Sequence, residues 1–251
     1  MSEPQFLTTP QGRRIAYHQS PGAGPTVIFC HGLRSDMEGT KSLYLEEWAQ
    51  AQGRAFIRFD CSGHGLSSGS FEEGCIGDWA EDAAAVVTEL AQDKVVIVGS
   101  SMGGWLSLLL ARDFGERLAG LVTIAAAPDF TEDGYWAGFS ETQRSELMSE
   151  GQVALPSEYG DPMIVTRRLI EDGRDRLVLR SPLPLPFPTR FLQGTADADV
   201  DPSVALRLLE HVTGDDIRLT LVKGADHRFS ESGELSQIVA AVEDVLASSV
   251  A

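Results

Sequence analysis

Val95-Val96-Ile97-Val98-Gly99-Ser100-Ser101-Met102-Gly103-Gly104-Trp105 is the stretch whose reading decides the fold. A β-branched run ends in Gly-x-Ser-x-Gly and passes into Trp105-Leu106-Ser107-Leu108-Leu109-Leu110-Ala111-Arg112, which reads as a buried helix. Strand, tight turn and helix in that order form a nucleophile elbow, in which a serine sits in a strained conformation at the top of a strand. Glycine two positions to either side of Ser101 leaves the chain room to turn that sharply. Ser101 is therefore the candidate nucleophile, and the backbone N–H of Met102, at the helix N-terminus, is a candidate oxyanion donor. The pattern alone is weak, because Gly65-Leu66-Ser67-Ser68-Gly69 fits it too. A polar Gly/Ser loop surrounds Ser67 and no helix starts there, so context selects Ser101.

Outward from the elbow, strand and helix patterns alternate. Upstream, Phe6-Leu7 and Arg14 to His18 read as a strand pair around a turn at Thr9-Pro10-Gln11-Gly12, and Pro21-Gly22-Ala23-Gly24-Pro25 reads as a loop. Thr26-Val27-Ile28-Phe29-Cys30 is a continuous apolar run of the kind buried on both faces of a parallel sheet. A helix is predicted over Lys41 to Gln52, a strand over Ala55 to Phe59, and an acidic-faced helix over Ile76 to Ala91 with Ile76, Trp79, Ala83, Val86, Val87 and Leu90 inward. Leu118 to Ile124 is the strand after the elbow helix.

The rhythm then breaks. Helical candidates around Glu141–Glu150 and Ile164–Glu171 are followed by Ser181-Pro182-Leu183-Pro184-Leu185-Pro186-Phe187-Pro188, whose alternate prolines favour extended backbone. This interval, about 129–187, is expected to be a cap inserted over the site and hinged by the proline run. Regularity resumes with a strand at Arg190–Gln193, a helix at Pro202–Val212, a strand at Ile217–Val222 and a closing helix at Leu235–Ala247. The expectation is one domain over 1–251: a mainly parallel sheet, helices on both faces, and ligands at the carboxyl ends of the strands.

Composition narrows the partners. Acidic residues outnumber basic ones 37 to 20, a formal charge of −17, so the surface repels phosphate backbones and anionic lipid headgroups. No nucleic acid is expected, and no apolar span is long enough to cross a bilayer. Met1-Ser2-Glu3-Pro4-Gln5-Phe6 lacks a basic segment followed by an apolar run, so the chain is expected to be soluble and cytoplasmic. Cys30, Cys61 and Cys75 are too few and too irregular for a disulfide framework or a zinc site, and read as small packed thiols.

A serine hydroxyl is almost entirely un-ionised at neutral pH, so Ser101 needs a general base, and the base needs a partner fixing its tautomer. His227, in Gly224-Ala225-Asp226-His227-Arg228-Phe229, follows the last predicted strand and completes the order serine, acid, histidine. His31 ends a strand before Gly32 and is expected to shape a loop. His64 is expected to make turn hydrogen bonds, while His18 and His211 read as structural or exposed. The acid should lie in Gly194-Thr195-Ala196-Asp197-Ala198-Asp199-Val200-Asp201-Pro202. Asp197 is placed to reach back to the histidine, Asp199 is the runner-up, and Asp201 before Pro202 reads as a helix N-cap. The second oxyanion donor is expected to be the N–H of Leu33, just after His31-Gly32.

With these residues in place, the chain resembles the α/β-hydrolase superfamily over nearly its whole length. The resemblance rests on His31-Gly32, Asp60-Cys61-Ser62-Gly63-His64-Gly65, the Ser101 motif, Gly194-x-x-Asp197-x-x-Val200 and Asp226-His227. Gly39-Thr40-Lys41, Arg58-Phe59-Asp60, Gly104-Trp105, Ser181-Pro182-Leu183-Pro184 and Asp226-His227-Arg228 are similar to one subfamily, that of the mitochondrial thioesterases acting on palmitoylated protein, which also cleave acyl glucuronides. The chain departs from it in having His31 where the subfamily carries a proline, and no mitochondrial presequence is expected from its first residues. The resemblance implies a cofactor-free, metal-free serine hydrolase of acyl esters or thioesters, with Ser101, Asp197 and His227 as the triad. Its substrate would be an acyl group on a small molecule or on a protein. The rival readings are a carbon–carbon hydrolase or lyase on the same triad, and a non-catalytic binder. Acyl chain length and oligomeric state leave no mark in the sequence.

Overall fold

In the computed structural model, which describes residues 3–156 and 162–249, eight strands form one sheet in the order β1-β2-β4-β3-β5-β6-β10-β12. They are β1 (Gln5–Thr8), β2 (Arg14–Ser20), β3 (Ala23–Cys30), β4 (Arg54–Phe59), β5 (Val95–Ser100), β6 (Leu118–Ile124), β10 (Thr189–Gly194) and β12 (Ile217–Val222). β1 and β2 pair antiparallel, as do β2 and β4, and every other neighbouring pair is parallel. The N-terminal turn closes where expected, through the Gly12 N–H to the Thr9 carbonyl at 2.9 Å.

Alternation along the strands divides the core. Val96 and Val98 of β5 face α1 (Thr40–Ala51) and the C-terminal α7 (Ser232–Ser248), with Leu45, Ile238, Val242 and Val245. Val95 and Ile97 face α2 (Ile76–Leu90) and α3 (Met102–Phe114), with Trp79, Val86 and Trp105. A strand covered on both faces must be apolar at every position, which is why the β5 sequence carries no polar alternation. Each such Val or Ile contributes about 1.5–3 kcal/mol by leaving water.

α2 buries one charged residue that its pattern hides. Asp82 is fully buried, and its carboxylate accepts from Arg13 Nε at 2.6 Å, from Ser62 Oγ at 2.6 Å and from the Ser62 N–H at 2.9 Å. Paired in this way, the charge is tolerated inside.

Two element predictions are corrected. Residues 21–25 are not all loop, because β3 begins at Ala23. Ala23 pairs with Arg54, and a register shift before Val27 accommodates Pro25, which has no N–H for the ladder. Ile164–Glu171 is not one helix. Met163–Thr166 forms β8, antiparallel to β7 (Gln152–Leu155), and the helix α5 runs over Arg167–Arg174 with the Thr166 hydroxyl accepting from the Leu169 N–H. The β-branched pair Ile164-Val165 is drawn into the hairpin, and tertiary pairing overrides the short helical pattern.

Between β6 and β10 the chain leaves the main sheet. It forms α4 (Glu141–Glu150), the β7–β8 hairpin, α5 and β9 (Leu183–Pro184), which pairs in parallel with β11 (Val212–Thr213). α4 begins with a capping box of Ser140 and Gln143 and ends at Gly151, φ 82°. The proline run is extended, with Leu183, Leu185 and Phe187 buried. Residues 157–161 of the expected cap, and Met1 and Ser2, lie outside the described residues. α6 (Pro202–His211) completes the set, and the Asp201 carboxylate caps it by accepting from the Ser203 N–H at 2.8 Å. Among the described residues no helix is long and apolar enough to cross a membrane.

Candidate active site

Ser101 stands between β5 and α3 with φ 55° and ψ −116°, a conformation that costs a non-glycine residue about 1–3 kcal/mol. The turn is possible only because its flanks lack side chains. A Cβ on Gly99 would lie 2.2 Å from the Gly103 carbonyl oxygen and from Ser107 Oγ. The backbone is held from three sides: the Ser101 N–H donates to Ile124, and the Ser101 carbonyl accepts from the N–H groups of Gly104 and Ala127, at 2.9–3.1 Å.

The Ser101 Oγ lies 3.0 Å from His227 Nε2, and His227 Nδ1 lies 2.9 Å from Asp197 Oδ2. A carboxylate facing Nδ1 fixes the proton there and leaves the Nε2 lone pair aimed at the serine hydroxyl. Asp197 is itself fixed. Its Oδ2 also accepts from Gln193 Nε2 at 2.9 Å, and its Oδ1 from the N–H groups of Asp199 and Val200 at 2.9 and 2.8 Å. Burial would raise the Asp197 pKa, but the bonds from His227 and Val200 outweigh it and hold the carboxyl below its ordinary 3.8. Gln193, on β10, is a partner that neither motif nor spacing reveals.

The loops carrying acid and histidine are tied by their backbones. The Ala196 N–H donates to the Ala225 carbonyl, and the Gly224 N–H to Thr195 Oγ1, both at 2.9 Å. Gly194 allows the approach, since a Cβ there would stand 2.2 Å from the Ala225 oxygen.

On the other side of Ser101 runs the loop after β3. A Cβ on Gly32 would lie 3.3 Å from Ser101 Cβ, so the His31-Gly32-Leu33 backbone passes directly by the serine. Two buried histidines brace this loop. His31 donates from Nδ1 to the Gly32 carbonyl at 2.8 Å and accepts at Nε2 from the Cys61 N–H at 3.0 Å. His64 donates from Nδ1 to the Ser62 carbonyl at 3.1 Å and accepts at Nε2 from the Arg34 N–H at 3.3 Å, with Arg34 at φ 55°. Each ring needs a lone pair, so both are neutral. Burial lowers both pKa values, that of His64 to about 4, with His31 adding to the effect. Beside them a cavity of about 270 Å³ is lined by Arg34, Ser35, His64, Phe71 and Ile164 among others. His18 is buried in β2, and His211 Nε2 binds the carbonyls of Val178 and Ser181 at 3.0 and 2.8 Å.

Met102 is the first residue of α3, so its N–H has no acceptor within the helix. Asp197, Asp199 and His227 have donor atoms within 4.8 Å of one another, a spacing metal ligands can adopt. A cation there would displace the bonds that Asp197 already makes. All three cysteines are buried and unpaired, and burial pushes the Cys30 and Cys75 thiols up to about 12 and Cys61 well above its ordinary value. They are packed residues without thiolate character.

The strand order, the turn at Ser101 and the serine–histidine–aspartate contact define a class, and sequence comparison bears on it directly: residues 25–171 match the model of the alpha/beta hydrolase fold family, and the chain belongs to that family. It is 32% identical over 243 residues to the human mitochondrial palmitoyl-protein thioesterase ABHD10, covering 96% of this chain and 79% of that protein. The bovine protein of the same name is equally similar. Among solved structures, a putative hydrolase from Agrobacterium vitis S4 superposes with a TM-score of 0.93 at 40% identity, over 97% of this chain and 98% of that one. Mouse alpha/beta hydrolase domain-containing protein 10 gives 0.90 at 29% identity, over 98% and 99%.

These relatives correct one expectation. The cytoplasmic assignment rested on the first six residues, whereas the relatives are named as mitochondrial and are longer than the segment they share with this chain. The absence of a leader pattern in those residues therefore does not establish a cytoplasmic location.

Proposed function

We propose that the chain is a serine hydrolase of carboxylic acyl thioesters or oxygen esters, working through an acyl-enzyme. The observation that carries this reading is the continuous relay from Ser101 Oγ through the His227 ring to Asp197, at 3.0 and 2.9 Å. Ser101 attacks the acyl carbon while His227 Nε2 takes its proton, and Asp197 stabilises the imidazolium. The N–H groups of Leu33 and Met102 hold the developing oxyanion. His227 then protonates the leaving thiol or alcohol, and the same base activates the water that releases the acid. No metal or cofactor has a role in this scheme.

The named activity of the thioesterase relatives supports an acyl thioester as the substrate, carried on a small molecule or on a protein. The segment 129–187 serves as the cap over the acyl group. The test is Ser101→Ala assayed on short p-nitrophenyl esters and on acyl-CoA thioesters. Turnover should fall by about four orders of magnitude or more; undiminished turnover would remove Ser101 from the chemistry.

A further inference from the structure

Two stretches singled out in the sequence, Gly39-Thr40-Lys41 and Asp226-His227-Arg228, lie 187 residues apart and take no part in the relay, apart from His227 itself. The fold brings them together. Lys41, in the first turn of α1, donates from Nζ to the main-chain carbonyl of Arg228, the residue after His227. The chain from Gly32 to Lys41 is the same segment that passes Ser101, so one ammonium joins the loop bracing the serine to the loop carrying the imidazole.

We propose that Lys41 is a positioning residue that holds the His227 loop in the register needed for proton transfer. The proposal rests on His227 being the base. The acid side of the His227 loop is tied by the Ala196 and Gly224 backbone bonds, but these act before His227 in the chain. After it the loop turns through Phe229, at φ 49° and fully buried, whose N–H donates to Asp226 Oδ1 at 3.2 Å. Between these two anchors Lys41 supplies a bond from outside the loop. A carbonyl held by a cation makes a charge-assisted bond, stronger than a neutral one. Asp226 and, from α7, Glu234 face the ammonium and favour its charge, Arg228 opposes it, and burial, the largest influence, lowers its pKa below the ordinary 10.5. Lys41 therefore loses its charge at a lower pH than a solvated lysine, while an arginine in its place stays charged.

The test compares Lys41→Met and Lys41→Arg with the wild type on one acyl thioester. Lys41→Met should lose roughly ten- to a hundredfold in kcat with KM within about twofold, the signature of a displaced base. Lys41→Arg should restore most of kcat and extend activity to more alkaline pH than the wild type. A second measurement needs no turnover: in the Ser101→Ala protein, the NMR resonance of the His227 Nδ1 proton should broaden or move with Lys41→Met and recover with Lys41→Arg. Wild-type kcat and an unmoved Nδ1 resonance in Lys41→Met would overturn the proposal, as would a loss in KM alone or an arginine that restores nothing. If Ser101→Ala itself retained turnover, the serine reading would fall while the Nδ1 resonance still decided the role of Lys41.

Discussion

A Cβ added to Gly103 would stand 2.1 Å from the carbonyl oxygen of Cys30, so the elbow helix and the end of β3 are packed backbone to backbone. That approach sets the serine beside the loop from His31 to Arg34. Because the obstacle is main chain, no rotamer change relieves it. Gly103→Ala is expected to cost about 3 kcal/mol, at the upper end for overpacking, and Gly99→Ala about as much. Urea unfolding midpoints check this; a midpoint equal to wild type would mean that the two backbones can part freely.

Asp197 gives a pH dependence with a definite sign. Its folded pKa lies below 3.8, so its contribution to stability is present above the ordinary carboxylate value and is lost as pH falls through the lower folded value. Thermal unfolding from pH 6 to pH 2 should show an acid loss that is shallower in Asp197→Asn. The same variant should lose about 10³–10⁴ in kcat, because the imidazole tautomer is no longer fixed. Asp199→Asn should stay within about tenfold, since Asp199 bonds to Asp197 through its backbone N–H, which the substitution keeps.

His64 acts in a higher window. With its pKa lowered from 6.5 to about 4, its neutral form stabilises the fold above 6.5, and that contribution is lost as pH falls from 6.5 through about 4. Protonation there would set an N–H against the Arg34 N–H. His64→Gln keeps polar atoms without titrating, so its melting temperature should fall less between pH 6.5 and 4. Parallel curves for the two proteins would assign the acid loss to other groups, His31 first among them.

What the sequence discloses follows from which interactions are local. β5 and α3 are legible because a β-branched run, two obligatory glycines and a buried helix sit side by side, and every strand of the main sheet except β3 starts within a residue or so of where its pattern places it. β3 starts earlier because its pairing partner, Arg54, lies thirty-one residues away. Ile164-Val165 carries too short a pattern to choose between helix and strand, and the choice falls to Val153 and Ala154 across the hairpin. Chain order singles out Ser101, Asp197 and His227, whose side chains are in contact. Nothing marks Gln193, four residues before Asp197, as its partner, while the Arg34–His64 and Lys41–Arg228 bonds join segments thirty and 187 residues apart, beyond the reach of any local pattern. The cytoplasmic expectation rested on the first residues alone, and relatives named as mitochondrial overturn that inference.

The most direct test of the account is covalent. The folded protein is treated with a fluorophosphonate, which reacts with a serine only when a base activates it and an oxyanion site receives the phosphoryl oxygen, and the adduct is mapped by peptide mass. One adduct per chain on the peptide bearing Ser101, absent in Ser101→Ala and strongly slowed in His227→Gln, is the expected result. A folded wild-type protein that stays unmodified, or an adduct on any other residue, would contradict the assignment.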